Sequence, residues 1–320
     1  MKSLGSYLVL PRFLAMAALI ALAVFATTRY SPHHASSNVF QTLYLHLIPV
    51  QLVDDPHAPV EAQRPLLSVP LDAVRAPAFF DMDLSQPGVQ LVATNLQLFQ
   101  LTAVLLIFVA FAGCARSIRT GRGDAFSKLL AGFAMYIRDE MVYPVMGRER
   151  GAKFVPYFLA LFFFILFMNL LGLVPGGATA TASIFVTAAL ATITLASMVI
   201  CGMVAQGPIA FWKHLVPHVP AALWPLMFVV ELIGLLVKPF ALMIRLFANM
   251  NGGHMVVLSF MGLIFFFAQK GASLGYASAP VAVGFAVFIM IIEAFVALLQ
   301  AYIFTQLSIL FVGASVHPEH

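Results

Sequence analysis

Between residues 224 and 268 the chain is almost pure hydrocarbon, and it is too long for a single upright membrane crossing. As a helix rising ~1.5 Å per residue it would extend nearly 70 Å, against a bilayer hydrocarbon core of ~30 Å. A second apolar run, 279–313, would exceed 50 Å by the same rise of ~1.5 Å per residue. Helix tilts seldom exceed ~40°, so each run either breaks in two or lies steeply slanted. The turn residues Gly271, Ser273, Gly275, Ser278 and Pro280, with Lys270 before them, favour a slanted hairpin over 224–313. Pro239 and the Gly252–Gly253 pair are candidate kinks in its first arm.

The rest of the chain is of the same kind. Hydrophobic residues make up 62% and charged residues 9%, where soluble domains carry about 25% charged. The alternating strand pattern of a membrane barrel is absent. The expected fold is an all-α polytopic membrane protein with about five transmembrane helices, the last two being the hairpin, plus an N-terminal helix. The net charge of +4 sits on loops and speaks to membrane topology, not to nucleic acid. Cys114 and Cys201 are too few for a disulfide framework and lack metal-ligand spacing.

Residues 1–29 carry Lys2 and Arg12 before an apolar run that ends at Thr27 and Thr28. That pattern suits a signal peptide cut near Ala26 or a retained anchor, and the shortness of the run favours cleavage. Residues 30–90 are the one sizeable polar stretch. They hold Asp54, Asp55, Glu61, Asp72, Asp81 and Asp83 against Arg64 and Arg75, with His33, His34, His46 and His57. The histidine spacing matches no metal motif, and the segment reads as a solvated extracytoplasmic piece.

The membrane domain spans 91–320. Its first crossing is 91–113, followed by a basic loop, 114–153, with Arg116, Arg119, Arg122, Lys128, Arg138, Arg148, Arg150 and Lys153. That density of cations places the loop in the cytoplasm and segment 30–90 outside. Crossings at 154–174 and 180–204 follow, and then a loop with Lys213, His214 and His218. Four prolines between 208 and 225 stop this loop from running on as one helix. The hairpin bend then lies outside and the C-terminus inside.

Few polar residues enter the hairpin, so each can be weighed. An arginine in such surroundings costs roughly 2.5–3.5 kcal/mol even on the lenient insertion scale, and it keeps its proton. No residue within four positions of Arg245 offers it an opposite charge. Glu231, Lys238 and Arg245 recur every seven residues and share a stripe, which Asn249 extends. Glu231 and Lys238 also suit a structural pair. His254, nine positions after Arg245, turns to the opposite side of the helix, about 13 Å along it. On the second arm Glu293 and Gln300 share a stripe. Glu293 has no cation nearby in sequence, so it is protonated, paired with His254 across the hairpin, or wet. A fixed cation on one face and titratable groups on another are what a proton path interrupted by a positive barrier requires.

The segment KPFALMIRLFANMNGGHM (238–255) resembles subunit a of the membrane sector of F-type ATP synthases. So do RDEMVYPVMG (138–147), FFFILFMNLLGLVPG (162–176) and EAFVALLQAYIFTQLSILFVG (293–313). The resemblance implies that Arg245 is the family's essential arginine, facing a ring of c subunits, with Asn249 and Gln300 as its polar neighbours. It implies an acid–histidine contact between the long helices, here Glu293 and His254, and a path residue in Asn169. Some relatives carry an acid where this chain has Gly172. The implied partners are the c-subunit ring, the peripheral-stalk b subunits, other ATP synthase subunits and membrane lipid, in a bacterial inner membrane. No cofactor or metal is implied, and no GxxxxGK[ST] stretch is present, so the expected role is a non-catalytic subunit. Residues 1–90 fall outside the resemblance. An ion-coupled secondary transporter or channel is the competing class, but the two halves show no internal repeat. An intramembrane metalloprotease would need HExxH, and the sequence contains none.

Overall fold

The computed structural model describes residues 5–31, 49–57, 63–70, 90–112, 114, 125–174, 177, 179–216, 220 and 223–316. His33, His34, His46, the acids from Glu61 to Asp83 and the loop arginines Arg116, Arg119 and Arg122 lie outside them, as do His218 and the C-terminal tail from 317. The helices are α1 (Gly5–Tyr30), α2 (Asn95–Phe111), α3 (Ala125–Tyr136), α4 (Tyr143–Met146), α5 (Arg148–Gly172), α6 (Ile184–Gln206), α7 (Pro208–His214), α8 (Trp224–Lys270) and α9 (Ala272–Val316). Five of them, α1, α5, α6, α8 and α9, are long and apolar enough to cross a membrane. At 17 residues, α2 is shorter, about 25 Å at ~1.5 Å per residue. The protein is thus an all-α, multi-pass membrane protein, as its hydrocarbon content demands.

The hairpin dominates. Its arms run unbroken for 47 and 45 residues, and only Gly271 separates them. The Gly271 N–H donates to the carbonyls of Phe267 and Ala268, at 3.2 Å each. A Cβ at Gly275 would lie 2.7 Å from that of Ala268, so the arms cross this closely only because residue 275 is glycine. The bend is tighter than the sequence suggests, and Ser273, Gly275, Ser278 and Pro280 all belong to α9. Pro239 does not break α8. The buried stripe Leu235, Pro239, Leu242, Leu246 and Met250 has helical spacing and continues straight through it. Packing on both sides holds the helix where one backbone N–H is missing.

α9 lies against α5, α6 and α8. Its buried face is built from small residues, including Ala282, Ala286, Ala297, Ala301 and Ser308. Such residues let helix backbones approach closely where lipid removes the hydrophobic drive to associate.

Much of the stretch 114–153 has regular structure. From residue 125 onward it is helical: α3 passes through a π turn (Ile137–Val142) into α4. Ile137, Met141, Val142 and Met146 are buried in the common core, while Lys128, Arg148, Arg150 and Lys153 are exposed on the outer side of these packed helices. Arg138 donates twice to Asp139, at 2.8 Å each, and so holds that carboxyl below its ordinary range.

At the opposite end, part of the polar segment forms an antiparallel ribbon, β1 (Ser68–Pro70) with β2 (Gln90–Val92). The Val53 N–H donates to the Tyr30 carbonyl (2.9 Å), which ties the ribbon region to the end of α1. α1 packs on α2. Arg12 bridges the Ala110 carbonyl (2.7 Å), in the last turn of α2, and Ser127 Oγ (2.8 Å) on α3. A cation there meets the negative end of the α2 dipole.

Candidate functional site

The inner side of α8 becomes polar at one place. A half-turn separates His254 from Arg245, so when the Leu242–Leu246–Met250 stripe faces the bundle, His254 also turns toward the neighbouring helices. Its Nδ1 lies 2.7 Å from Glu293 Oε1 of α9. The Glu293 side chain is 4% exposed and that of His254 19%. Of the three states open to a buried Glu293, the structure adopts the paired one. Gly253 makes the seat for it: a Cβ there would lie 2.7 Å from both Cδ and Oε1 of Glu293, so the carboxyl rests on bare backbone.

The far nitrogen of the ring is held as well. His254 Nε2 lies 2.7 Å from Thr179 Oγ1 and 2.9 Å from the carbonyl oxygen of Gly172. Gly172 is the last residue of α5, where a carbonyl has no helical donor left to it. A side chain could not be added at that point, because a Cβ at Gly172 would lie 2.5 Å from Thr179 Oγ1. One turn earlier, the wholly buried Asn169 accepts from Thr181 Oγ1 (2.7 Å) and donates to the Ala297 carbonyl (3.3 Å). Both threonines come from the segment around the 3-10 turn Ala180–Ala182, which contacts α5, α6 and α8. Asn169, Thr181, Thr179, His254 and Glu293 therefore form a buried polar patch between α5, α8 and α9.

Arg245 and Asn249 point the other way. Both are exposed, one turn apart on the outward face of α8. Among the described residues no hydrogen bond or ion pair reaches Arg245. Exposed apolar neighbours such as Ile244 and Phe240 surround it. Gln300 is buried at 4% exposure on the inward face of α9, and no hydrogen bond joins it to Arg245 among the described residues. Glu231 is half-buried and forms no ion pair with Lys238 among them. Seven residues are about 10 Å of helix, and Lys238 Nζ instead lies over the Phe311 ring, 5.7 Å from its centroid. No trio of His, Cys, Asp and Glu suited to a metal occurs among the described residues.

Sequence reasoning named Asn169, His254 and Glu293 but missed Thr179, Thr181 and the Gly172 carbonyl. The alternation of threonines after a glycine-rich break was the available signal.

The chain is similar to several known proteins. It is 44% identical over 196 residues to ATP synthase subunit a of Myxococcus xanthus, covering 61% of this chain and 63% of that one. It is 41% identical over 224 residues to the subunit a of an Anaeromyxobacter species (69% and 53%). With that of Chloroherpeton thalassium it shares 50% over 169 residues (52% and 49%). The matches thus span about half to two thirds of the length of these relatives. The family model described as ATP synthase A chain matches residues 97–313, a range that contains every residue of the polar patch and Arg245. The chain belongs to the ATP synthase A chain family.

Proposed function

We propose that this chain is the proton-conducting stator subunit of a rotary ATP synthase, in a bacterial inner membrane, with 30–90 outside and the C-terminus in the cytoplasm. Its partners are a ring of c subunits, the peripheral-stalk b subunits and lipid. Protons arrive from outside by the patch that contains Asn169, His254 and Glu293. They neutralise a carboxylate on the ring, which can then turn through lipid uncharged. After nearly a full rotation the carboxylate reaches a second, cytoplasmic half-channel and loses its proton. Arg245, with Asn249 beside it, stands between the two half-channels. A nearby cation favours the ionised carboxylate and repels a proton passing straight through. Each charge moved down the gradient yields ~2.3 kcal/mol per 100 mV, delivered as torque.

The observation that carries this reading is the outward Arg245. An arginine exposed on a membrane helix costs roughly 2.5–3.5 kcal/mol, and this one finds no partner among the described residues of its own chain. A carboxylate on an apposed ring supplies what is missing. Gln300 fits a positioning role behind this face, and Glu231 with Lys238 a structural one. The test is Arg245→Ala in the assembled complex, read as ATP-driven acidification of inverted membrane vesicles. Coupled pumping should vanish while the complex still assembles, and wild-type pumping by the variant would refute the role.

A further inference from the structure

The two neighbours of His254 Nε2 decide where the ring carries its hydrogen. The Gly172 carbonyl, at 2.9 Å, can only accept. A lone pair on Nε2 would face it in repulsion and leave this carbonyl at the end of α5 only the long 3.5 Å contact from the Thr179 hydroxyl. Thr179 Oγ1, at 2.7 Å, can donate or accept, and its own hydroxyl also has the Gly172 carbonyl within 3.5 Å. Both contacts are met together only when Nε2 bears the hydrogen. Thr179 is itself buried, at 7% exposure, so its hydroxyl is committed to this corner.

Building on the proton-path reading, we infer that Gly172 and Thr179 lock His254 as the Nε2–H tautomer, so that the imidazole serves Glu293 from one side only. Thr179 is then a positioning residue, acting through the ring. This tautomer leaves one exchangeable proton for the 2.7 Å axis between Nδ1 and Oε1. On Oε1 it gives a neutral acid beside a neutral imidazole. When the O–H bond breaks and the N–H bond forms, the pair becomes carboxylate and imidazolium with the same total charge. Loss of that proton to a ring carboxylate leaves neutral His254 and ionised Glu293. The replacement must arrive through the Glu293 oxygens, because Nε2 is already bonded to a hydrogen that points at an acceptor. The histidine is a local store for Glu293 and not a link in a wire that runs through both nitrogens.

The direct test is solid-state nitrogen NMR on the intact complex carrying isotope-labelled histidine, with the His254 signals identified by difference against His254→Gln. A protonated Nε2 at every pH, with any unprotonated nitrogen assigned to Nδ1, is the expected result. A neutral ring with its hydrogen on Nδ1 overturns the inference. In vesicles, Thr179→Val should slow proton flux about tenfold, the rate equivalent of one hydrogen bond, with Thr179→Ser restoring it to within about twofold. Wild-type flux in Thr179→Val removes the positioning role. Should that variant fail to accumulate, the spectrum of the wild-type complex decides alone. Unaltered pumping in Arg245→Ala would sink the proton-path reading and leave the tautomer standing on its own measurement.

Discussion

Adding a single methyl group at residue 253 is the sharpest perturbation this structure offers. In Gly253→Ala the new Cβ would sit 2.7 Å from Cδ and Oε1 of Glu293 and 3.2 Å from its Cγ. Carbon atoms settle at about 3.5–4.0 Å, so the carboxyl must retreat by roughly 1 Å. The His254–Glu293 contact begins at 2.7 Å, and a retreat of that size takes it to the ~3.5 Å limit of a hydrogen bond. A bond that involves a charged partner is worth about 1.5–3 kcal/mol, and overpacking alone costs about 1–3 kcal/mol. If the first quantity appears in the barrier to proton uptake, flux falls about 10- to 100-fold. The assay is the initial rate of ATP-driven acidification in inverted vesicles, normalised to assembled complex. Gly284→Ala is the control: residue 284 is exposed on α9, nothing lies within 4 Å of its Cβ, and it faces away from Glu293. Wild-type flux in Gly253→Ala, or an equal loss in Gly284→Ala, would refute the reasoning.

The other expectations are briefer. Glu293→Gln should slow proton uptake, and the exchange of His254 and Glu293 should recover part of the loss, measured by the same acidification rate; equal rates in single and exchanged variants argue against the pair. Asn169→Leu strands the Thr181 hydroxyl in a buried site, so thermal stability of the assembled complex should fall by about 1–3 kcal/mol, seen as a lower unfolding midpoint. Arg12→Gln should loosen α1 from α2 and α3 by removing two short hydrogen bonds; limited proteolysis near the start of the chain reports it as faster cleavage.

How much could be read from sequence depends on where the determining atoms lie. Arg245 was legible because a permanent charge in hydrocarbon has no ordinary explanation, and the opposite facing of His254 followed from counting residues. The hairpin was legible from the length of the two apolar runs together with the turn residues between them. The His254–Glu293 contact was one of three options, since a sequence fixes azimuth on each helix but not how two helices slide past one another. The Gly172 carbonyl left no trace, because backbone acceptors look alike in every sequence. Thr179 and Thr181 were overlooked because threonines are unremarkable among apolar residues until a 3-10 turn brings both inward. The helicity of 125–146 was hidden by its cations, which drew attention to topology and away from the apolar residues between them. Glu231 and Lys238 share a stripe, yet the lysine Nζ lies over an aromatic ring of α9.

The unbroken course of α8 has a consequence for how the membrane itself acts on this protein. Nine residues of rigid helix separate Arg245 from His254, a fixed ruler of about 13 Å. The helix runs unbroken through Gly252 and Gly253 between them, so the axial part of their separation projects onto the membrane normal as about 10 Å at a 40° slant and about 7 Å at 60°. A thicker or thinner bilayer that re-angles the hairpin therefore moves Arg245 and His254, the proposed barrier and uptake site, together, as two marks on one lever, and lipid composition becomes a single dial acting on both.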